Sequence, residues 1–144
     1  MIGNKGIDNR LRTLRSLPEL APFTDSQLRS LLPYFDELTV PAGRRLAKLG
    51  QFCTEYLVLI EGGVEARDEA RARLLRPGES TGWSAMWDRS RNPETLIATT
   101  GARLLVMGRA QFRAIAALAG SSSHRGRAGD RADARPLLAV TPRA

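Results

Sequence analysis

Between residues 36 and 108 no apolar run outlasts a short strand before a glycine, a proline or a polar stretch interrupts it. The segments DELTV, RRLAKLG, EYLVLI, VEARD, RARLLRPG, TLIATTG and ARLLVMG follow one another with turn residues between them. Short β-prone runs at near-regular spacing predict an antiparallel sandwich or roll. Two links are short enough to read as hairpins, one around Glu61-Gly62-Gly63 and one around Thr100-Gly101.

Helical patterns flank this region. Leu11, Leu14 and Leu17 share a spacing that fits one helix face, and Pro18 ends it. Thr24 and Gln27 form a capping-box pattern ahead of Leu28, Leu31 and Leu32, with Phe23 placed to staple onto the first turn. This predicts a second short helix stopping near Pro33. After the last strand, RAQFRAIAALAG predicts a helix with Phe112, Ile115 and Leu118 inward and Gly120 at the position after its end. The fold class is therefore mainly β with flanking helices: an antiparallel, jelly-roll-like β-roll with two short N-terminal helices and one C-terminal helix. The expected division is a folded domain over residues 1–119 and a disordered Arg/Ala/Ser-rich tail over 120–144, which has no aromatic residue and little apolar surface to offset its ordering entropy.

Composition narrows the function classes. Cys53 is the only cysteine, which removes a disulfide framework and a cysteine-based zinc site. His124 is the only histidine, and residues 1–119 have none, so a cupin-type metal enzyme lacks its ligands. A non-enzymatic protein is expected. No apolar run reaches the roughly 20 residues of a membrane span, and the N-terminus has no secretory h-region, so the expected setting is cytoplasmic without membrane contact. The net charge of +7 favours anionic partners. Residues 120–144 supply +3 of it, five arginines against Asp130 and Asp133.

The ordered set of elements resembles the cyclic-nucleotide-binding domain of the catabolite-activator (Crp/Fnr) superfamily. The residues that carry the resemblance are VPAGRRLAKLGQFCTEYLVLIEGGVEA with Gly43, Gly50 and Gly62 at its turns, then LLRPGESTGW, then ETLIATTGARLLVMGRAQFRAI. Tyr56, Val58 and Ile60 share one face of the strand between them. The resemblance covers about residues 14–119 and implies a regulatory, signalling module of bacterial cytoplasm that takes cyclic AMP or cyclic GMP. The family's transcription factors add a dimerising helix and a helix-turn-helix, for which SSSHRGRAG has no room.

In binding members of that family the phosphate cassette runs Gly-Glu, a helical turn, then Arg, small residues and Thr or Ser. Gly82 matches the glycine, but Trp83 stands at the glutamate position, and an indole accepts no hydrogen bond. With Thr95 matched to the family's threonine, Asn92 stands where the arginine belongs and Arg91 comes one residue early. Pro93 and Glu94 replace two small residues. Each lost charge-assisted bond is worth about 1.5–3 kcal/mol, so both together weaken nucleotide binding roughly 100-fold or more. The implied pocket is degenerate or retuned. An anion held here would meet the backbone at Gly82, Trp83 and Ser84, the charge of Arg91, and polar groups of Asn92 and Thr95. Trp83, Met86 and Trp87 fall on one helical face, read first as core and second as an apolar pocket or partner-docking patch. Two function classes follow. The first is a stand-alone regulatory or adaptor module for a small anionic ligand or a protein partner. The second is a divergent regulator without a DNA-reading helix that touches nucleic acid weakly and nonspecifically through its basic charge.

Overall fold

The computed structural model describes the backbone of residues 2–126 and the side chains of residue 6 and residues 8–117. Helix α1 (Ile2–Arg15) begins well ahead of the leucine face and ends before Pro18, where a 3-10 turn (Pro18–Leu20) leads to α2 (Asp25–Leu31). The capping box forms: Gln27 N donates to Thr24 Oγ1 at 3.1 Å, and Thr24 N donates to Gln27 Oε1 at 2.8 Å. A further 3-10 turn at Leu32–Tyr34 holds Pro33, and the roll starts after it.

Eight strands follow: β1 (Asp36–Val40), β2 (Arg45–Ala47), β3 (Glu55–Glu61), β4 (Val64–Arg67), β5 (Ala72–Leu75), β6 (Ser80–Thr81), β7 (Thr95–Ala98) and β8 (Ala102–Gly108). A short helix, α3 (Trp83–Asp88), interrupts them between β6 and β7, and α4 (Arg109–Gly126) closes the described chain. One sheet has the order β1-β8-β3-β6 and the other β2-β7-β4-β5, all pairs antiparallel. This is the β-roll with flanking helices that the glycine spacing predicts.

Strand β3 explains the layering. Leu57 and Leu59 face the second sheet, among Val40, Val64, Leu75 and Leu96. Tyr56 and Val58 face the helices, in a cluster with Leu14, Leu28, Leu105 and Phe112, and Ile60 packs against that cluster. A strand apolar on both faces needs cover on both, so its sheet sits between the helices and the other sheet. Strand β8 repeats the alternation, with Leu104 and Val106 on one side and Leu105 and Met107 on the other.

Neither expected hairpin forms. Strand β3 pairs with β6 and β8, β4 with β5 and β7, so Glu61-Gly62-Gly63 carries the chain from one sheet to the other. Thr100-Gly101 does the same between β7 and β8. The reason lies in the side chains. Strand β4 buries Val64 and Ala66 and leaves Arg67 exposed, which suits a sheet with one wet face, not the covered sheet of β3. The two corners pack on each other: Gly63 N donates to Thr100 Oγ1 at 3.1 Å, and Thr99 N donates to Gly63 O at 2.9 Å. The hairpin that does form joins β4 to β5, where Asp68 Oδ1 accepts from the amides of Ala70 and Arg71.

Helix α4 buries Phe112 and Ile115 as expected, while the side chain of Leu118 lies outside the described residues. The helix runs through Gly120 to Gly126, so Gly120 is not its stop, and the expected 119/120 boundary falls inside a helix. A glycine cap is usually accompanied by an apolar contact from the residue after it, and Ser121 offers none; glycine within a helix costs only about 1 kcal/mol. The tail beyond residue 126 lies outside the described residues. Among the described residues no helix is long and apolar enough to cross a membrane.

The corner supplies a test. Gly62 has φ of 92°, and a Cβ there would sit 2.3 Å from Gly101 O, whereas Gly43, with φ of 90°, has nothing within 4 Å. Gly43→Ala is expected to cost only the left-handed penalty, about 1–2 kcal/mol. Gly62→Ala adds a backbone collision and is expected to cost about 3 kcal/mol or more. Urea unfolding of both variants checks the difference.

Candidate functional site

The segment from Ser80 to Thr95 enters along β6, turns at Gly82 into α3, and leaves along β7. Strand β6 is anchored from the N-terminal side. Ser80 Oγ and the buried Tyr56 hydroxyl, at 2.6 Å, both donate to Glu19 Oε2 in the 3-10 turn before α2. Burial pushes the Tyr56 phenol well above its ordinary range, and the Glu19 carboxylate adds to that.

Gly82 is the N-cap of α3 with φ of 100°, and a Cβ there would meet Glu55 O at 2.6 Å. Only glycine lets the turn lie this close to β3. Trp83 then points inward, 6% exposed, in edge contact with Tyr56 at 5.3 Å and Phe112 at 5.2 Å. Trp87 stacks on it at 6.1 Å. Met86 is buried in the same cluster and Trp87 packs against it, as the core reading of that helical face expects. Ser84 Oγ is buried without a hydrogen-bond partner among the described residues.

The downstream residues bind backbone. Arg91 Nη1 donates to Gly50 O at 2.8 Å, and Asn92 Nδ2 donates to Lys48 O at 3.0 Å. Thr95 Oγ1 accepts from Leu49 N at 2.9 Å. Main-chain bonds reinforce them, Gly50 N to Asn92 O at 3.0 Å and Asn92 N to Gln51 O at 2.7 Å. Arg91, Asn92 and Thr95 thus fasten the residue 48–51 loop against the exit of the segment.

A cavity of about 100 Å³ lies between that loop and the segment. Gly82 and Asn92 line it; Trp83, Ser84, Arg91 and Thr95 do not. The charged groups on its wall are Lys48, Glu55 and Glu94. Glu94, its side chain 16% exposed, is held by Arg73 of β5 through bonds of 3.0 and 3.1 Å. Burial raises the Glu55 carboxyl above its ordinary range. Among the described residues no group of three or more His, Cys, Asp or Glu side chains is placed to hold a metal ion. Cys53 is buried and its thiol is pushed up by burial, the opposite of an activated nucleophile.

Sequence reasoning missed Lys48, Gln51, Phe52 and Glu55 as cavity residues. The available signal was KLGQFCTE, a polar run around Gly50 just before the most apolar strand. Its pairing across to Arg91, seen in the Phe52–Arg91 bridge, has no local pattern to reveal it.

No family model matches the chain, and no curated protein matches it. Solved structures do. A cyclic nucleotide-binding-like protein from Brucella abortus is 24% identical with a TM-score of 0.64, over 73% of this chain and 95% of that one. PKAR CBD2 bound to Sp-2Cl-cAMPS is 14% identical with a TM-score of 0.69, over 94% and 90%. The regulatory domain of Toxoplasma gondii PKA with cAMP is 18% identical with a TM-score of 0.68, over 77% and 44%. At these identities the likeness is one of fold. The chain has the fold of cyclic-nucleotide-binding domains.

The anchoring of β6 is testable through pH. The raised phenol means that the fold holds Tyr56 protonated, so its contribution is complete below the unfolded pKa near 10 and is lost as pH rises past it. Wild-type stability is expected to fall above about pH 10, with a shallower fall in Tyr56→Phe. At about pH 7 that variant is expected to be about 1.5 kcal/mol less stable, the low end for a bond to a half-exposed carboxylate. Urea unfolding across that range measures both.

Proposed function

We propose that this chain is a non-enzymatic regulatory or adaptor module on the cyclic-nucleotide-binding fold, in which the cassette serves as internal structure and a cyclic nucleotide is not its ligand. The observation that carries this reading is the hydrogen bonding of Arg91, Asn92 and Thr95, each engaged with the backbone of residues 48–50. A cyclic phosphate needs a guanidinium and free donors at that position. Here Asn92 stands there without charge, its amide nitrogen engaged, and Arg91 lies outside the cavity lining.

Three further features support it. Trp83 at the ribose-binding position has no acceptor, and its ring belongs to the core. The wall sets Glu55 beside Lys48, and Glu94 is already paired with Arg73, so no guanidinium among the lining residues faces a phosphate. The cavity of about 100 Å³ is below the roughly 300–1,000 Å³ of sites for drug-sized ligands. The regulatory role comes from the fold and from the ligands named for the PKA structures, cAMP and Sp-2Cl-cAMPS, so it is carried over by analogy. A small anionic ligand of another kind meets the same small cavity with Glu55 beside Lys48, so a protein partner is the favoured readout.

Calorimetric titration with cyclic AMP and with cyclic GMP tests the reading. No saturable heat up to millimolar nucleotide is expected, for wild type and for Arg91→Ala alike. Micromolar binding by wild type that Arg91→Ala abolishes overturns it.

A further inference from the structure

A second concavity, sharing no lining residue with the first, lies where α3 meets α4. It holds about 110 Å³, about four waters' share of liquid volume and so room for one apolar side chain. Its apolar wall is Met86, Trp87, Phe112 and Ala116. Its charged residues are all arginines, Arg89, Arg109 and Arg113. Among the described residues no carboxylate lines it; the neighbouring Asp88 is exposed and outside the lining.

The arginines differ in their engagement. Arg109 donates to Cys53 O at 3.0 Å and lies 4.5 Å over the ring of Phe52, which is itself 46% exposed. Arg89 and Arg113 are exposed, and among the described residues neither has a hydrogen-bond or ion-pair partner. Arg89 has φ of 55°, the one positive φ outside glycine among the described residues, at the C-cap of α3. The turn that a glycine would make at lower cost is made by an arginine, which sets a cation at the rim of the concavity.

We propose that this concavity docks an acidic segment of a partner protein, one apolar side chain resting against the wall of Trp87, Phe112 and Ala116 while flanking carboxylates meet Arg89 and Arg113. Arginine and tryptophan around a desolvated pocket form the residue set that dominates protein interfaces, and carboxylate is the complement of unpaired guanidinium. The chain's own C-terminal segment has the wrong sign for these arginines, since residues 127–144 carry Arg127, Arg131, Arg135 and Arg143 against Asp130 and Asp133. Nucleic acid fits less well. Stacking of bases needs free aromatic faces, and here Trp87 is stacked on Trp83 with Phe112 at 84° to it, while Phe52 carries Arg109. The site is separate from the cassette cavity and stands whether or not that cavity takes a nucleotide.

The chain's two tryptophans belong to this cluster, so intrinsic fluorescence reports on the site directly. The probe is a blocked peptide with a central leucine flanked by glutamates, titrated at low ionic strength beside its lysine counterpart and an oligothymidylate. Saturable fluorescence change with the glutamate peptide alone is expected. Affinity is expected to fall at least about tenfold in Arg89→Gly/Arg113→Ala and to hold in Arg44→Ala/Arg45→Ala, which removes equal charge elsewhere. Arg113→Ala alone, an exposed helix position, gives a smaller loss if the double variant unfolds, and circular dichroism tells the two apart. The proposal is overturned by no saturable binding of the glutamate peptide, by equal affinity in the folded variants, or by an oligothymidylate that binds more tightly at the same arginines.

Discussion

The buried hydroxyl of Tyr56 and the ring beneath it join the three parts of this molecule. The hydroxyl donates to Glu19, which also receives Ser80, so the N-terminal helical segment is tied to strand β6 immediately ahead of the cassette. The ring contacts Phe35 from the N-terminal side, Trp83 from α3 and Phe112 from α4. A phenol can be buried at this depth only because its one polar atom has an acceptor. Once it is placed there, the close approach of Gly82 to β3 and the inward turn of Trp83 follow.

That arrangement sets what each side of α3 can do. On one side the exit of the segment is fastened to the 48–51 loop by hydrogen bonds of Arg91, Asn92 and Thr95. Toward α4 the stack of Trp83 and Trp87 ends in a shallow concavity whose charged lining, among the described residues, is arginine. In our reading α3 is a structural strut, and the accessible chemistry lies where it meets α4. A surface network complements this core: Glu37 takes Arg10 and Arg103, and Arg103 also takes Glu61, which links α1, β1, β8 and β3. Those guanidinium groups hold the Glu37 carboxyl below its ordinary range.

Much of the fold was legible because its signals are local. Thr24 and Gln27 cap a helix through bonds between residues three apart, and Tyr56, Val58 and Ile60 share a face because strands alternate. The hairpins around Gly62 and Gly101 were misread because a glycine turn looks the same whether the chain returns in its own sheet or crosses to the next. What decides is the burial of both faces of β3, a property of the finished sandwich. Helix α4 outran Gly120 because glycine permits a stop without enforcing one. At the site, substitution at Trp83 and Asn92 was visible in the chain, whereas Lys48 and Glu55 came to the cavity wall through contacts distant in sequence, Lys48 with Asn92 and Glu55 with Gly82. Nothing in the run WDRSRN sets Arg89 apart from its charged neighbours; its backbone conformation and neighbours on α4 are what single it out.

Hydrogen exchange at the amides of residues 82–95, with and without millimolar cyclic AMP, tests the central claim most directly. If the cassette is internal structure, the amides of Met86, Arg89, Ser90 and Asn92 are protected in the free protein and nucleotide changes nothing, since their bonds to Gly82, Ala85 and Gln51 are already formed. Rapid exchange in the free protein, replaced by protection when cyclic AMP is added, would contradict the account and restore the cassette as a ligand site.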